Sequence, residues 1–310
     1  MLRGVRRNRW VPALLLLALA LMPALGQPYL TRFATEILIF GIVAISLDLI
    51  VGYGGMVSFG HAAFFGVGAY AAGVLGFYGI HSSLLAVPAA ILVSALAALL
   101  IGGISLRTSG VYFIMITLAF AQMIYYLATA LVIYGGNDGL KMQRNRFADL
   151  PVGEPHVFFY LVLVVFLAVF FGARRMVESR FGRVLRGIRD NEPRMQSLGY
   201  DTYRYRLAAF TIAGATAGLG GLLDANLNRY VSPDLLHWGM SGDLLVMLVL
   251  GGAGTLTGPV IGAAVFLFLE EILSAYTKHW MLVLGPVLLV VVIFSSGGLY
   301  ALLQPRPRHD

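Results

Sequence analysis

A chain of 310 residues with 59% hydrophobic and only 12% charged side chains is not a soluble globular domain, where charged residues run near ~25%. It has no cysteine, which excludes disulfides and thiolate chemistry, and its six histidines (His61, His81, His156, His237, His279 and His309) show no metal-ligand spacing. The net charge of +7 sits on arginines between apolar segments, which makes nucleic acid an unattractive partner and a membrane the natural solvent. The short alternating stretches of a transmembrane barrel are absent.

Taken in order, the chain starts with Arg3, Arg6, Arg7 and Arg9 ahead of an apolar run at 10–25. This resembles a signal peptide, but in a chain that spans repeatedly an uncleaved first helix at about 10–26 is expected, with the N-terminus held inside. A second span is expected at 33–51, after a turn at 27–32, then a glycine-rich break at 52–60. Further spans follow at 61–80, 84–104 and 111–133, with a tight turn at Arg107–Gly110. The loop 134–156 carries Asp138, Lys141, Arg144, Arg146, Asp149 and Glu154. A sixth span at 157–173 leads into the charged segment 174–206, and a seventh is expected at 207–226. Residues 227–240 read as a connecting loop, 243–251 as a span that is short, and 251–258 as a second glycine break. Spans at 259–276 and 280–294 and a tail with Arg306 and Arg308 complete the chain. Ten crossings put the N-terminus, the Arg107 turn, the charged segment and the tail on one side, the cytoplasmic one by the positive-inside tendency. Eight or nine crossings with a re-entrant 243–258 are the alternative.

The segment 174–206 holds nine arginines against four acids, five of the chain's seven net positive charges. Phe181, Val184, Leu185 and Ile188 share one face of a helix, with Arg183, Arg186 and Arg189 turned the other way. Pro193 suits the start of a second, very short helix, and Gly199 the residue past its end. Met195 and Leu198 form a small apolar knob among the charges. Such a segment is either a solvated loop on anionic headgroups or a docking element for a cytoplasmic partner. The helix–Pro–helix–Gly order favours docking.

The two glycine breaks share a sketch: Asp48 or Asp243, an apolar run, Gly-Gly, a hydroxyl residue and a further glycine. Paired breaks in a transporter mark a pathway at mid-membrane, and glycines also serve close helix packing, as at Gly66, Gly68 and 214–221. Tyr53, Gly54, Gly55, Ser58, His61, Gly251, Gly252 and Thr255 are the candidate pathway residues. Glu36, Asp48, Asp224, Asp243, Glu270 and Glu271 lie in or near spans; most are near expected ends, within reach of headgroup water, which weakens a proton-relay role. No P-loop, dinucleotide fingerprint, HExxH or GxSxG motif occurs, so nothing supports catalysis or ATP hydrolysis by this chain itself.

Five ordered stretches carry a resemblance. They are SLDLIVGYGGMVSFGHAAFFGVGAY (Ser46–Tyr70), LRTSGVYF (Leu106–Phe113), GGNDGL (Gly135–Leu140), FGRVLRGIRDNE (Phe181–Glu192) with SLGY (Ser197–Tyr200), and VLGGAGTLTGP (Val249–Pro259). Over roughly 35–300 the chain resembles the LivM-type permease subunits of branched-chain amino-acid ABC importers. Span lengths and charge together give an all-α polytopic membrane protein of about ten spans (eight to ten) with glycine-rich broken or re-entrant segments and both termini cytoplasmic, read as a single permease domain over 1–310 with a coupling loop at 174–206, and the resemblance implies a bacterial inner membrane. It implies a LivH-like second permease, two LivG/LivF-like ATPases using ATP and Mg, and a periplasmic binding protein; this chain would bind no cofactor. It also implies a coupling contact with the ATPase, for which Arg186, Arg189, Asp190, Glu192, Met195, Leu198 and Gly199 are the candidates. The family motif there begins Glu-Ala-Ala, and Glu192-Pro193-Arg194 is a loose version. The implied cargo is Leu, Ile and Val, with urea or short amides as near alternatives. An ion-coupled amino-acid carrier and a structural scaffold are the readings from other classes.

Overall fold

The computed structural model describes residues 26–145 and 154–276, with a few isolated positions outside them and the short helix Gly298–Leu302. The expected spans at 10–26 and 280–294, together with Arg146, Asp149, Arg306 and Arg308, lie largely or wholly outside the described residues. What is described is almost entirely helical. In order come α1 (Pro28–Asp48), α2 (His61–Phe77), α3 (Ser83–Ser105), α4 (Val111–Ala130) and α5 (Pro155–Glu178). Then follow α6 (Arg180–Asp190), α7 (Glu192–Ser197), α8 (Thr202–Asn228), α9 (Trp238–Gly251), α10 (Gly258–Tyr276) and α11 (Gly298–Leu302). One two-residue pair, β1 (Leu140–Lys141) with β2 (Tyr230–Val231), is antiparallel, Leu140 opposite Val231.

Six of these helices are long and apolar enough to cross a bilayer; α2 and α9 are shorter apolar helices. At about 1.5 Å per residue, the 14 residues of α9 reach roughly 21 Å, short of a hydrocarbon core of ~30 Å. The most apolar window of α1 is 89% buried, whereas those of α3, α4 and α5 are buried only 28%, 22% and 28%. Leu92, Leu96, Met115, Met123, Val164 and Phe171 lie exposed on those outer helices. So much outward apolar surface has no place in water and belongs against lipid or another membrane chain. The protein is an all-α, multi-pass membrane protein.

Glycines set the centre. A Cβ added to Gly221 would stand 1.8 Å from the Phe65 carbonyl oxygen, so α8 touches α2 backbone to backbone. There, and at Gly68 against Gly218, the packing reading of the glycines holds.

Polar contacts fix helix direction. The Tyr203 hydroxyl donates to the Gly103 carbonyl at 2.9 Å, joining the start of α8 to the end of α3 at the arginine-rich end. At the opposite end, Arg32 of α1 donates to Asn228 Oδ1 of α8 at 2.8 Å. Helices α1, α3 and α5 therefore descend to the arginine-rich end, and α2, α4 and α8 rise from it.

Several expected boundaries shift outward. The turn at 27–32 is the first turn of α1, because Pro28 suits a helix start. Arg174 and Arg175 belong to α5, and Arg204 and Arg206 to α8, so the charged segment is mostly helical. Residues 227–240 are not a plain loop: a 3₁₀ turn at Pro233–Leu236 leads to α9, which His237 caps by accepting the Gly239 N–H at 3.2 Å. That lengthens the helix around Asp243 to 14 residues.

Candidate functional site

Helix α1 ends without a conventional cap. Leu49–Tyr53 loosens into a π turn, and Gly55 then takes a left-handed φ of +68° that reverses the chain. The chain climbs back and starts α2 at His61. The first amides of a helix need partners, and here other elements supply them. Phe59 N–H donates to Thr117 Oγ1 of α4 at 3.3 Å, Gly60 N–H to Ser58 Oγ at 3.1 Å, and Ala62 N–H to Ser241 Oγ of α9 at 3.0 Å. Ser46 directs its hydroxyl proton to the Val43 carbonyl at 2.6 Å, so the 2.7 Å contact with His61 Nε2 has the imidazole as donor. His61 is fully buried, and its Nδ1 has no partner among the described residues.

The second break follows α9. Gly252 and Gly254 have φ of +108° and +79°, and Leu256, a branched residue, is held at +59°. A leucine there is backbone strain that its surroundings must hold. Thr255 closes the turn, its hydroxyl donating to the Gly252 carbonyl at 2.8 Å and accepting the Gly258 N–H at 2.9 Å.

The two breaks meet. Asp48 Oδ1 accepts the Gly254 N–H at 2.5 Å, and Oδ2 accepts the Leu256 N–H at 3.1 Å. A Cβ on Gly52 would lie 2.0 Å from Asp48 Oδ1 and 2.4 Å from the Gly254 nitrogen, so only glycine admits this approach. From the charged segment, Arg189 of α6 donates Nη1–H to the Gly52 carbonyl. Its aliphatic stem covers Gly55, where a Cβ would come within 2.7 Å of Arg189 Cγ. Two broken helices and the charged segment thus share one junction.

The candidate pathway residues divide around it. Tyr53, Gly54, Ser58, His61, Gly251 and Gly252 are buried, Thr255 is half-buried, and Gly55 is exposed. Nearby cavities lie to either side. One of about 270 Å³ runs between α1, α5 and α8 past Ser46 and Met176; another of about 540 Å³ lies along α9, lined by Phe59, Trp238 and Asp243. The likeness of the two Asp-to-Gly sketches therefore stops short: Asp48 holds the other break, while Asp243 faces a cavity. Asp48 and Asp224 are also shut off from water, at 0% and 3% exposed, which corrects their placing near wetted span ends.

The candidate coupling residues occupy α6 and α7. Val184, Leu185 and Ile188 are buried as their spacing requires. Arg186 does not simply turn outward; half-buried, it donates to the Val177 carbonyl at 3.4 Å and to the Gly182 carbonyl at 3.3 Å, tying α6 to the end of α5. Asp190 pairs with Arg189 at 3.1 Å. Glu192 forms an ion pair with Arg206 at 2.8 Å, which anchors α7 to α8. Asn191 caps α7 by accepting the Arg194 N–H at 3.0 Å, and Gly199 beyond it has a φ of +84°. Met195 leans its sulfur on Gly187, and Leu198 stays 64% exposed. Among the described residues no group of acidic or histidine side chains is placed to hold a metal.

Comparison with known proteins places this geometry. The family described as branched-chain amino acid transport system / permease component matches residues 29–292. The high-affinity branched-chain amino acid transport system permease protein LivM of Salmonella typhimurium is 29% identical, the match spanning 97% of this chain and 77% of that protein. The probable LivM of Methanocaldococcus jannaschii is 25% identical over 83% of this chain and 86% of its own. The probable LivH of the same organism is 24% identical over 51% of this chain and 52% of its own. No solved structure matches the chain.

Proposed function

The chain belongs to the branched-chain amino acid transport system permease component family, and on that premise we propose that it is one membrane subunit of an ATP-driven importer for leucine, isoleucine and valine. It would pair with a LivH-like permease, receive cargo from a periplasmic binding protein, and be driven by two cytoplasmic ATPases that hold the ATP and Mg. This subunit itself has no catalytic role. The whole chain is one permease domain in the inner membrane. The six long described helices, α2, and α9 taken together with the break that follows it make eight crossings, and the two expected spans outside the described residues make ten, with both termini and the arginine-rich end in the cytoplasm.

The observation that carries the reading is Arg189. It belongs to the charged segment, yet it hydrogen-bonds the Gly52 carbonyl inside the first break, beside the Asp48 carboxylate that grips the second. A push on α7 has a short path inward. Leu198 is exposed to receive a partner, the Glu192–Arg206 and Arg186–Val177 bonds keep the segment stiff, and Arg189 ends at the junction. Moving α6 would shift both broken helices together, a two-state element of the kind alternating access needs.

The test is reconstitution of this chain with its partner permease, ATPases and binding protein in liposomes, reading leucine-stimulated ATP hydrolysis and leucine uptake. Wild type is compared with Met195→Asp combined with Leu198→Asp, after both are shown to insert. Stimulation and uptake are expected in the wild type and lost in the double variant. Uptake that runs without the ATPases would sink the proposal in favour of an ion-coupled carrier.

A further inference from the structure

The cavity of about 540 Å³ along α9 lies on the outward face of that helix. Its volume falls within the roughly 300–1,000 Å³ usual for small-molecule sites. Trp238, Val246 and Val249 of α9 form one wall, and Phe59 of the first break forms the other. Trp238 and Val249 are 44% and 46% exposed, and Phe59 and Val246 are half-buried, so all four are open to a ligand. Just before α9, His237 meets Tyr125 ring to ring at 5.4 Å, near the outer end of α4. Further along, Ser241 accepts the Ala62 N–H at 3.0 Å, where α2 begins. The cavity therefore leads from the outer end of the bundle down to the first break.

Among the described lining residues one is charged, Asp243. It is half-buried, and among the described residues no hydrogen bond or ion pair engages it. The charged neighbour it meets is another acid, Glu270 of α10, rather than a base. A carboxylate with no counter-charge is costly against hydrocarbon, and in a membrane helix such a group turns to the protein interior or to a water-filled path. Beside it Gly242 leaves free space, since a Cβ built there meets no atom within 4 Å. A metal ion is a poor occupant: hard cations take about six or more oxygen ligands, and Asp243 is the one carboxylate among the described lining residues. What fits is a molecule with one cationic group on an apolar body.

Resting on the reading of the chain as an amino-acid permease, we infer that this cavity is a binding subsite for the transported amino acid, in which Asp243 takes the α-ammonium group. Trp238, Val246, Val249 and Phe59 take the aliphatic side chain, and the cargo carboxylate lies towards the open side, away from Asp243. The ammonium–carboxylate contact is a charge-assisted hydrogen bond, about twice as strong as a neutral one, and low-dielectric walls strengthen it further. Those walls favour leucine, isoleucine and valine over glycine. The unpaired carboxylate favours them over urea or a short amide, which carry no cation.

The chain has no cysteine, so Val249→Cys places a single thiol in the cavity. The full chain is assembled with its partner permease and ATPases in nanodiscs, and reaction of the thiol with N-ethylmaleimide is timed by mass spectrometry. L-leucine and L-leucinol, which share the ammonium group and the side chain, are expected to slow the reaction. 4-Methylpentanoate, which lacks the ammonium group, is expected to leave it unchanged. Asp243→Asn is expected to raise the half-protecting leucine concentration at least about tenfold, the loss of one charge-assisted pair, and Asp243→Glu to keep most of the protection. Gly242→Leu fills the free space and is expected to abolish protection without lowering insertion or the unfolding temperature. Absence of protection both without nucleotide and with a non-hydrolysable ATP analogue overturns the inference, and so does equal protection by 4-methylpentanoate. A thiol that reacts in the chain alone but never in the assembly overturns it too, because a partner helix then fills the cavity. Protection by sodium ions alone also overturns it and makes Asp243 a cation site. Leucine uptake by the wild-type importer without protection removes the subsite and leaves the transport reading; protection without uptake does the reverse.

Discussion

Asp48 separates two accounts of the broken helices. In an ion-coupled carrier it would be a proton site, and an uncharged replacement would stop transport. In the structure its two oxygens are occupied by the Gly254 and Leu256 amides, out of reach of water, which makes it a clasp. Asp48→Asn keeps one acceptor and is expected to retain measurable ATP-driven uptake with a lowered unfolding temperature. Asp48→Ala leaves both buried amides without an acceptor, each costing ~1–3 kcal/mol, and is expected to lose stable insertion in a thermal-shift measurement. Uptake abolished by Asn in a fully folded variant would contradict the clasp. Gly52→Ala tests the same contact from the other side. Its Cβ would lie 2.4 Å from the Gly254 backbone nitrogen across the junction, so the breaks must separate, at a cost of ~1–3 kcal/mol or more. A Gly52→Ala protein as stable and active as wild type would show that the breaks are not clasped.

At the level of elements, α6 and α7 show what sequence can and cannot reveal. The spacing of Val184, Leu185 and Ile188 marks a buried helix face, and Pro193 and Gly199 mark the ends of a short second helix, because local geometry alone decides these features. The bonds that tie the pair to the rest of the bundle are long-range. Arg189 finds Gly52 across 137 positions, and no local pattern announces that. The starts of α8 and α9 were hidden for a different reason: Thr202–Arg206 and Trp238–Ser241 are polar or aromatic helix beginnings, and hydropathy registers only the apolar middle. If this pair is the proposed coupling element, Arg189→Lys keeps a cation there but loses the fork that reaches Gly52 and Asp190 together. Its expected effect is near-normal basal ATP hydrolysis with several-fold less uptake per ATP, read by parallel phosphate release and leucine accumulation. An unchanged ratio would place the coupling elsewhere on α6 and α7.

For the molecule as a whole, direction matters more than the number of crossings. Contacts at the two ends fix which termini of the helices lie together: Gly103 with Tyr203 at one end, Arg32 with Asn228 and Tyr78 with Tyr134 at the other. The proposed orientation rests on charge alone: Arg174–Arg206 is too cationic to cross readily, which favours the cytoplasm for that end. The absence of cysteine makes this directly measurable, because any single introduced thiol reports alone. Ser197→Cys, exposed on α7, and Ser82→Cys, exposed before α3, lie at opposite ends of the bundle. In right-side-out spheroplasts a membrane-impermeant maleimide is expected to label Ser82→Cys and to leave Ser197→Cys untouched until the membrane is opened. The inverse pattern would turn the molecule over. It would carry the arginine-rich segment away from any cytoplasmic motor, and the proposed ATP-driven mechanism would fall with it. Equal labelling of both from outside would contradict the single crossing directions of α3 and α5, on which the ten-span count depends.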